Sequence, residues 1–486
     1  MKLESVLKGL KFKTSGPIKG VDISAIRSDS RSVRKGDLFI AFRGYSENGY
    51  RYIDDAIKNS AGVIIAAKQF RAPSDVLKIS VADTRQALPA IAGNFYGHPS
   101  KDLAIIGVTG TNGKTSITYI LESILKSAGS NAGVIGTINY RYGGKVFDAK
   151  NTTPGPIELQ SMLSGMREAG LRHALMEVSS HALDQQRIAG ILFDAAVFTN
   201  VTSEHLDYHK KIDRYFKAKV KIFDNLKKNG FAVLNADDDR VLSVKKYIQG
   251  RAITYGIKNK ADVRAENITL SIDGSSFTAV TPKDSFRVNA RLIGMHNVSN
   301  ILASIAVSCA MGISSAHIKK GAEAIKLVPG RLEPVGPGKH CTVFVDYAHT
   351  EDALDKVLRL LKKVARSRII TVFGCGGNRD KSKRPMMGRA ACRHSDSVII
   401  TSDNPRFEDP RTIIDEIEKG VKARFSNYEI VSDRRKAIER AICCASPDDI
   451  VIIAGKGHET CQIIKDKVLP FDDREVARNI LKRQTA

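Results

Sequence analysis

The sequence predicts an α/β protein of three domains, with mostly parallel sheets in its central and C-terminal parts. Three observations lead there. At 486 residues, 42% hydrophobic and 26% charged, the chain is too long for one ordinary core and divides into about three units of roughly 150 residues. From Leu103 the pattern strand, glycine-rich loop, helix begins and repeats, which is the signature of a parallel sheet covered by helices. After Val328-Pro-Gly-Arg331 the same alternation resumes from Val343.

Taken in order, residues 1–98 mix short apolar runs, Asp37 to Ala41 and Gly62 to Ala66, with turn-rich segments. They end in Gly97-His-Pro-Ser100, a turn sequence suited to a boundary. The expected domains are therefore 1–98, 99–331 and 332–486. No internal repeat of fixed period and no biased segment interrupts them.

The central part opens on the apolar run Leu103 to Val108, followed at once by Thr109-Gly-Thr-Asn-Gly-Lys-Thr115. Ile117, Ile120, Leu121, Ile124 and Leu125 then recur at helical spacing, and Gly129 closes the helix. Strand, glycine loop and helix together offer what a triphosphate needs: free backbone N–H groups at a helix N-terminus, a lysine charge at Lys114, and a hydroxyl for Mg²⁺ at Thr115. The match to the usual G-x-x-x-x-G-K-T pattern is imperfect, because Val108 stands at its first glycine. The reading is an ATP site, and that alone names no reaction.

Leu175 to Val178 reads as a buried strand carrying Glu177, a carboxylate placed at a strand's end to hold Mg²⁺. A further strand, Ala195 to Thr199, leads to His205 and His209, each of which also suits an ordinary polar loop. On the next helix, with Ile212 at zero, Tyr215, Phe216, Phe223 and Leu226 fall within about 60° of it, forming one apolar face. Lys219 sits in the middle of that face, at about −20°, whereas Lys217 and Lys221 point away at about 140° and 180°. A lysine so placed must snorkel, shift its pKa or be chemically altered. Carbamoylation by CO₂ is one such alteration, and it creates a carboxylate able to ligate Mg²⁺.

Composition narrows the partners. Lysines at positions 2, 8, 11 and 13 interrupt any signal-peptide stretch, and no run reaches the roughly 18 apolar residues of a membrane span. Seven cysteines, none in a CxxC pair, fit free thiols in a reducing cytoplasm. The formal charge of +24 suits either nucleic acid or small polyanions. The chain has no tryptophan and no basic tail.

Together these segments resemble the Mur ligase family. The matching pieces are DSRSVRKGDLFIA (29–41), TGTNGKT (109–115), NTTP (151–154), EVSSHAL (177–183), HLDYH (205–209), YFKAK (215–219) and NADD (235–238). GMHNVSN (294–300), GRLE (330–333), DYAHT (346–350), GCGGNRD (374–380), DNPR (403–406) and AGKGHE (454–459) follow in the same order across nearly the whole chain. The resemblance implies an N-terminal domain for the UDP end of a substrate, a central P-loop-type ATPase, and a C-terminal Rossmann-like domain for an incoming amino acid. The implied activity is ATP-dependent amide formation in peptidoglycan precursor synthesis. In it meso-diaminopimelate joins the D-Glu γ-carboxylate of a UDP-muramoyl dipeptide through an acyl phosphate, in the cytoplasm.

Carried over by residue, the resemblance assigns Gly110, Thr111, Asn112, Gly113, Lys114, Thr115 and Ser116 to ATP phosphate and Mg²⁺. Asn297 and Asn300 fall on the adenine side, Arg331 at a phosphate and Asp346 at the ribose. Thr115, Glu177, His205 and Lys219, the last as N6-carboxylysine, are implied metal or carboxylate positions, and Lys114, Glu177, His205, Lys219 and Arg331 the catalytic set. Ser28, Ser30, Tyr45, Ser46, Asn151, Thr152, Thr153, Ser179, Gln185 and Arg187 fall on the UDP-muramoyl substrate. The sequence departs from the family's common residues at Tyr45 to Glu47, Glu204, Glu351 and Asn378.

For the amino acid, loops at the carboxyl ends of three C-terminal strands, Ile369 to Phe373, Ser397 to Thr401 and Ile450 to Ala454, converge on one crevice. Diaminopimelate differs from lysine by a distal carboxylate, which calls for a forked cation. Arg406, helped by Arg379 and Asn404, meets that need, while Glu459 and the Gly455 carbonyl accept from the distal ammonium; Asp403 and Pro405 are expected at the same diaminopimelate site. With ATP and the acidic substrate on one domain and the amine on another, closure assembles the site and shields it from water. Rival readings are a lysine-adding member, opposed by DNPR; folylpolyglutamate synthetase, opposed by the 29–41 motif; and a non-catalytic scaffold, opposed by the buried lysine. The partners expected are small molecules acting on a monomer, with membrane insertion excluded and nucleic acid reduced to a minor option.

Overall fold

The computed structural model describes residues 1–44, 47–202, 204–336, 341–422 and 425–485. Chain contacts group them into two units: residues 1–264 with 302–318, and residues 265–301 with 319–486.

The first unit holds two sheets. The N-terminal one has five strands, β1 (Phe12–Thr14), β2 (Ile26–Arg27), β3 (Leu38–Ile40), β4 (Val63–Ala66) and β5 (Leu77–Val81), in the order β1-β5-β4-β3-β2. The apolar runs at 37–41 and 62–66 are its central β3 and β4, buried along their whole length as parallel strands covered on both faces are. The chain then turns through Gly97 and His98, both at positive φ, into the second sheet.

That second sheet is built from β6 (Ala104–Thr109), β7 (Ala132–Ile135), β8 (Asn139–Tyr142), β9 (Lys145–Asp148), β10 (His173–Glu177), β11 (Phe193–Phe198), β12 (Leu226–Asn235) and β13 (Arg251–Gly256). Its order is β9-β8-β7-β10-β6-β11-β12-β13. β10, β6, β11 and β12 run parallel, so the ends of β6, β10 and β11 open toward one edge, with Glu177 opposite Val108 and Phe198 opposite Thr109. The helix predicted after the glycine loop spans Lys114–Ser127 and buries Ile117, Ile120, Leu121, Ile124 and Leu125. Gly129 follows at φ +75°.

One periodicity is corrected. The apolar face drawn from Ile212 to Leu226 assumed an unbroken helix, but the helix is Ile212–Val220, a 3₁₀ turn follows at Lys221–Asn225, and Leu226 starts β12. Tyr215 and Lys219 are buried as the pattern predicted, and Lys217 and Lys221 are exposed.

β14 (Val263–Ser271) starts beside β13, with Val263 opposite Tyr255, and continues into the second unit with β15 (Gly274–Val280) and β16 (Ser285–Ala290). The second unit's main sheet orders β17 (Glu333–Val335), β18 (Thr342–Asp346), β19 (Ile369–Phe373), β20 (Ser397–Ile400), β21 (Tyr428–Ile430) and β22 (Ile450–Ala454) as β17-β18-β22-β19-β20-β21. All pairs but β17–β18 are parallel, as a Rossmann-like sheet requires. The hairpin β23 (Cys461–Ile464) and β24 (Lys467–Pro470) follows, and the helix Asp473–Thr485 ends the description. All seven cysteines are free.

Candidate active site

The phosphate loop is shaped by glycine. Gly110 has φ +142°, and a Cβ there would stand 1.8 Å from Thr199 Oγ1, so only glycine fits; Gly113, at φ +93°, starts the helix. The end of β11 holds the loop: Thr199 Oγ1 donates to the Asn112 carbonyl at 2.6 Å, and Thr111 N donates to the Asn200 carbonyl at 2.9 Å. Thr111 Oγ1 also meets Tyr215 Oη at 3.1 Å. Lys114 Nζ folds onto the loop itself, donating to the carbonyls of Gly110 at 2.9 Å and Thr111 at 2.8 Å. Thr115 and Ser116 are buried in the first turn of the helix. Gly110→Ala is expected to remove nucleotide binding while the fold persists, read as loss of ATP protection in a thermal melt with an unchanged circular dichroism spectrum.

Glu177 is 1% exposed at the end of β10. Its Oε2 accepts from Thr115 Oγ1 at 3.0 Å and Thr137 Oγ1 at 2.9 Å, and its Oε1 accepts from Thr137 N at 3.0 Å. Sequence reasoning missed Thr137, whose only signal is its place just beyond β7, next to β10. Thr115 and Glu177 are hard oxygen donors of the kind Mg²⁺ takes.

Lys219 is 1% exposed, and its Nζ donates to the Gly110 carbonyl at 2.8 Å and stands 4.4 Å from the Tyr215 ring centre. Among the described residues no acidic side chain pairs with it. Burial, with the Lys114 charge adding to it and Glu204 opposing, holds its pKa well below the usual lysine range. His205, at φ +54°, lies with Nε2 3.8 Å from Glu204 and its ring against His181 at 4.8 Å. Among the described residues no three His, Cys, Asp or Glu side chains converge as a metal set.

The segments expected to hold the UDP-muramoyl substrate are built into one another. Thr153 Oγ1 donates to the Glu177 carbonyl at 2.9 Å and accepts from Ser179 N at 3.0 Å. Ser179 caps the helix Ser180–Asp184, and Thr152 meets Thr137 at 3.0 Å. The Asn151 carbonyl accepts from Tyr140 Oη. Arg187 donates to the Thr153 carbonyl at 3.2 Å and to Gln185 Oε1 at 2.6 Å. Ser28 is exposed, and buried Ser30 opens a 3₁₀ turn capped by Asp29. Tyr45 and Ser46 lie outside the described residues.

In the second unit, Asn297 and Asn300 are buried and joined at 3.3 Å. Asp346, at the end of β18, accepts from Leu332 N at 2.6 Å and Ala348 N at 2.8 Å. Burial raises its pKa, against the pull of Arg331 and those two bonds. Arg331 lies 4.8 Å from the Tyr347 ring centre, and its buried Nε has no hydrogen-bond partner among the described residues.

The loops after β19, β20 and β22 meet. A Cβ on Gly377 would stand 1.9 Å from the Pro405 carbonyl, and one on Gly455, at φ +116°, 2.7 Å from Asp403 Oδ2. Arg406, at φ +53° and half-buried, donates through Nη1 to the Gly377 carbonyl at 2.8 Å, and among the described residues no acidic side chain pairs with it. Asn404 Nδ2 donates to Glu459 Oε2 at 2.8 Å. Lys456, 0% exposed and unpredicted, donates to that same oxygen at 3.0 Å, to Asn404 Oδ1 at 3.2 Å and to the Cys461 carbonyl at 2.6 Å. Both of these contacts to Glu459 fall on Oε2. Arg379 is exposed on its loop. Fully buried Arg384 clamps that loop through Glu408, whose carboxyl it draws down to about 2, and through Glu416.

A glycine-shaped phosphate loop beside a parallel α/β sheet in the first unit, and a Rossmann-like sheet with meeting loops at its carboxyl ends in the second, are the features of an ATP-dependent acid–amino-acid ligase. Family models match the chain as the Mur ligase family catalytic domain over residues 22–96, the middle domain over 108–308, and the glutamate ligase domain over 330–457. The chain is 42% identical over 487 residues to the UDP-N-acetylmuramoyl-L-alanyl-D-glutamate–2,6-diaminopimelate ligase of Clostridium tetani, covering 99% of each. It is 41% identical to that of Oceanobacillus iheyensis over 100% of both. A solved structure described by the same activity is 32% identical with a TM-score of 0.68, covering 96% of each chain. The chain belongs to the Mur ligase family.

Proposed function

We propose that the chain joins meso-2,6-diaminopimelate to the D-Glu γ-carboxylate of UDP-N-acetylmuramoyl-L-alanyl-D-glutamate, driven by ATP, as a cytoplasmic step of peptidoglycan precursor synthesis. The observation that carries this reading is Arg406. A half-buried guanidinium with one carbonyl contact and no acidic partner among the described residues is a receptor awaiting an anion, and the distal carboxylate of diaminopimelate supplies it. The names of the relatives agree, and among the described residues no helix is long and apolar enough to cross a membrane.

The donors of Thr115 and Glu177 fit Mg²⁺, which when bound neutralises charge on the phosphates of ATP. Lys114 adds positive charge for the transferring phosphoryl group, so that the γ-carboxylate is activated as an acyl phosphate, and Arg331 is the second unit's candidate phosphate contact. Asn297, Asn300 and Asp346 are the second unit's own candidates for contacts to a nucleoside. Lys219 supports the carbamate reading because its amine is buried, without an acidic partner among the described residues, and held toward the neutral, nucleophilic form. Its Nζ attacks CO₂, a C–N bond forms, and one proton leaves to solvent. The carbamate and His205 would together hold a second Mg²⁺. On the amino-acid side, Asn404 and Arg406 address the distal carboxylate, and Glu459 Oε1 with the Gly455 carbonyl the distal ammonium.

Incubating the protein with ATP, Mg²⁺, the UDP-muramoyl dipeptide and meso-diaminopimelate tests the proposal. The expected product exceeds the dipeptide in mass by one diaminopimelate less one water, with one phosphate released per product. Phosphate release that continues without either acceptor contradicts it.

A further inference from the structure

Arg434 opens the helix Arg434–Cys443 and Asp473 opens the helix Asp473–Thr485. Both side chains are 0% exposed and meet through two bonds, Nε to Oδ1 and Nη2 to Oδ2, each 2.7 Å. The guanidinium is not exhausted by its partner. Nη2 also donates to the Ala454 carbonyl at 3.1 Å, and Nη1 to the Ser402 carbonyl at 3.4 Å. Ala454 is the last residue of β22 and precedes Gly455; Ser402 follows β20 and precedes Asp403. Because β19 lies between β20 and β22 in the sheet, one side chain spans three strands and grips the roots of two loops.

A buried ion pair of this kind adds little to net stability compared with well-packed apolar side chains of the same size, so its presence calls for another explanation. The local geometry supplies one. Asp403 Oδ2 stands so near Gly455 that a Cβ there would be 2.7 Å away, and Asn404 bonds Glu459 across the same gap at 2.8 Å. A small change in loop spacing therefore breaks these contacts. Against the cost of burial, the charges of Asp473, Asp403 and Glu459 all favour the charged form of Arg434.

We propose that Arg434, fixed by Asp473, is a positioning residue that sets the spacing of the Asp403–Arg406 and Gly455–Glu459 loops and thereby the affinity for the incoming amino acid. This rests on the assignment of those loops to diaminopimelate. The test uses the full chain with Arg434→Met/Asp473→Leu, which removes both charges at once, and separately Arg434→Lys, which keeps the charge but not the fork. The double variant is expected to raise KM for diaminopimelate by about tenfold or more, because small misplacements of binding groups are costly. KM for ATP and for the UDP-muramoyl dipeptide should stay within about twofold, and Arg434→Lys should fall between.

A folded variant whose three KM values stay together, unchanged or shifted alike, overturns the inference, since a merely structural role lowers the active fraction without selecting one substrate. If the double variant does not fold, Arg434→Lys is judged by the same split. Arg406→Ala is measured in parallel. If it leaves KM for diaminopimelate untouched, the assignment of the crevice fails; if it acts and the Arg434 variants do not, only the positioning role fails.

Discussion

Replacing Lys219 with alanine is expected to lower ligase turnover by at least ~100-fold, and bicarbonate or acetate in the assay to return part of it. The size follows from the proposed role as a metal ligand, since disturbing even the groups that orient ligands costs roughly 10- to 100-fold. The direction of rescue discriminates between two losses. The side chain contributes an amine that donates to the Gly110 carbonyl; if that bond were its whole role, a small alkylamine would rescue and a carboxylate would not. Rescue by the carboxylate identifies the missing group as a carbamate. Lys217→Ala, on the exposed side of the same helix, should keep turnover near that of the parent. Undiminished rates in Lys219→Ala would remove the carbamate from the mechanism.

The second large effect falls on Arg406. Arg406→Ala is expected to cost about 2–4 kcal/mol in the transition state for diaminopimelate, a loss of roughly 30- to 700-fold in kcat/KM, because the buried distal carboxylate is left without its cation. Lysine, which has no such carboxylate, should lose almost nothing, so the ratio of the two substrates collapses while KM for ATP stays put. Arg406→Lys should restore little, since a single ammonium does not reproduce the fork. Steady-state kinetics with both amino acids reads all three outcomes. An equal fall for lysine and diaminopimelate would mean that Arg406 shapes the loop and does not read the substrate.

Much of this architecture was legible because it is local. The runs that became β3, β4, β19 and β22, and the amphipathic helix through Ser127, announce themselves by short-range pattern and by the burial a parallel sheet imposes. Lys219 was legible as an anomaly of one helical face, and Glu177 as a carboxylate at a strand's end. The same periodicity failed beyond Val220, because a 3₁₀ turn broke the helix while Phe223 and Leu226, partly buried, went on packing against the core from other elements. What stayed hidden depends on partners far apart in sequence. Lys456 gains its meaning from Asn404, 52 residues away, and Arg434 from Asp473, 39 away. Thr137, Thr199 and Asn200 carry no motif; only strand order brings them to Glu177 and the phosphate loop.

Buried cations do not explain the surplus of 24 positive charges. Arg384, Arg434 and Lys456 are wholly buried, but each is paired with carboxylates, Arg384 with Glu408 and Glu416, Arg434 with Asp473 and Lys456 with Glu459, so none of the three adds to the net charge.

The most direct test of the account is the ratio of kcat/KM for meso-diaminopimelate to that for L-lysine, measured on the unmodified chain at saturating ATP and UDP-muramoyl dipeptide. A site that reads the distal carboxylate through Arg406 predicts a ratio of about 1,000 or more, because groups built to bind a charged partner reject the analogue that lacks it. A ratio near one would contradict the account.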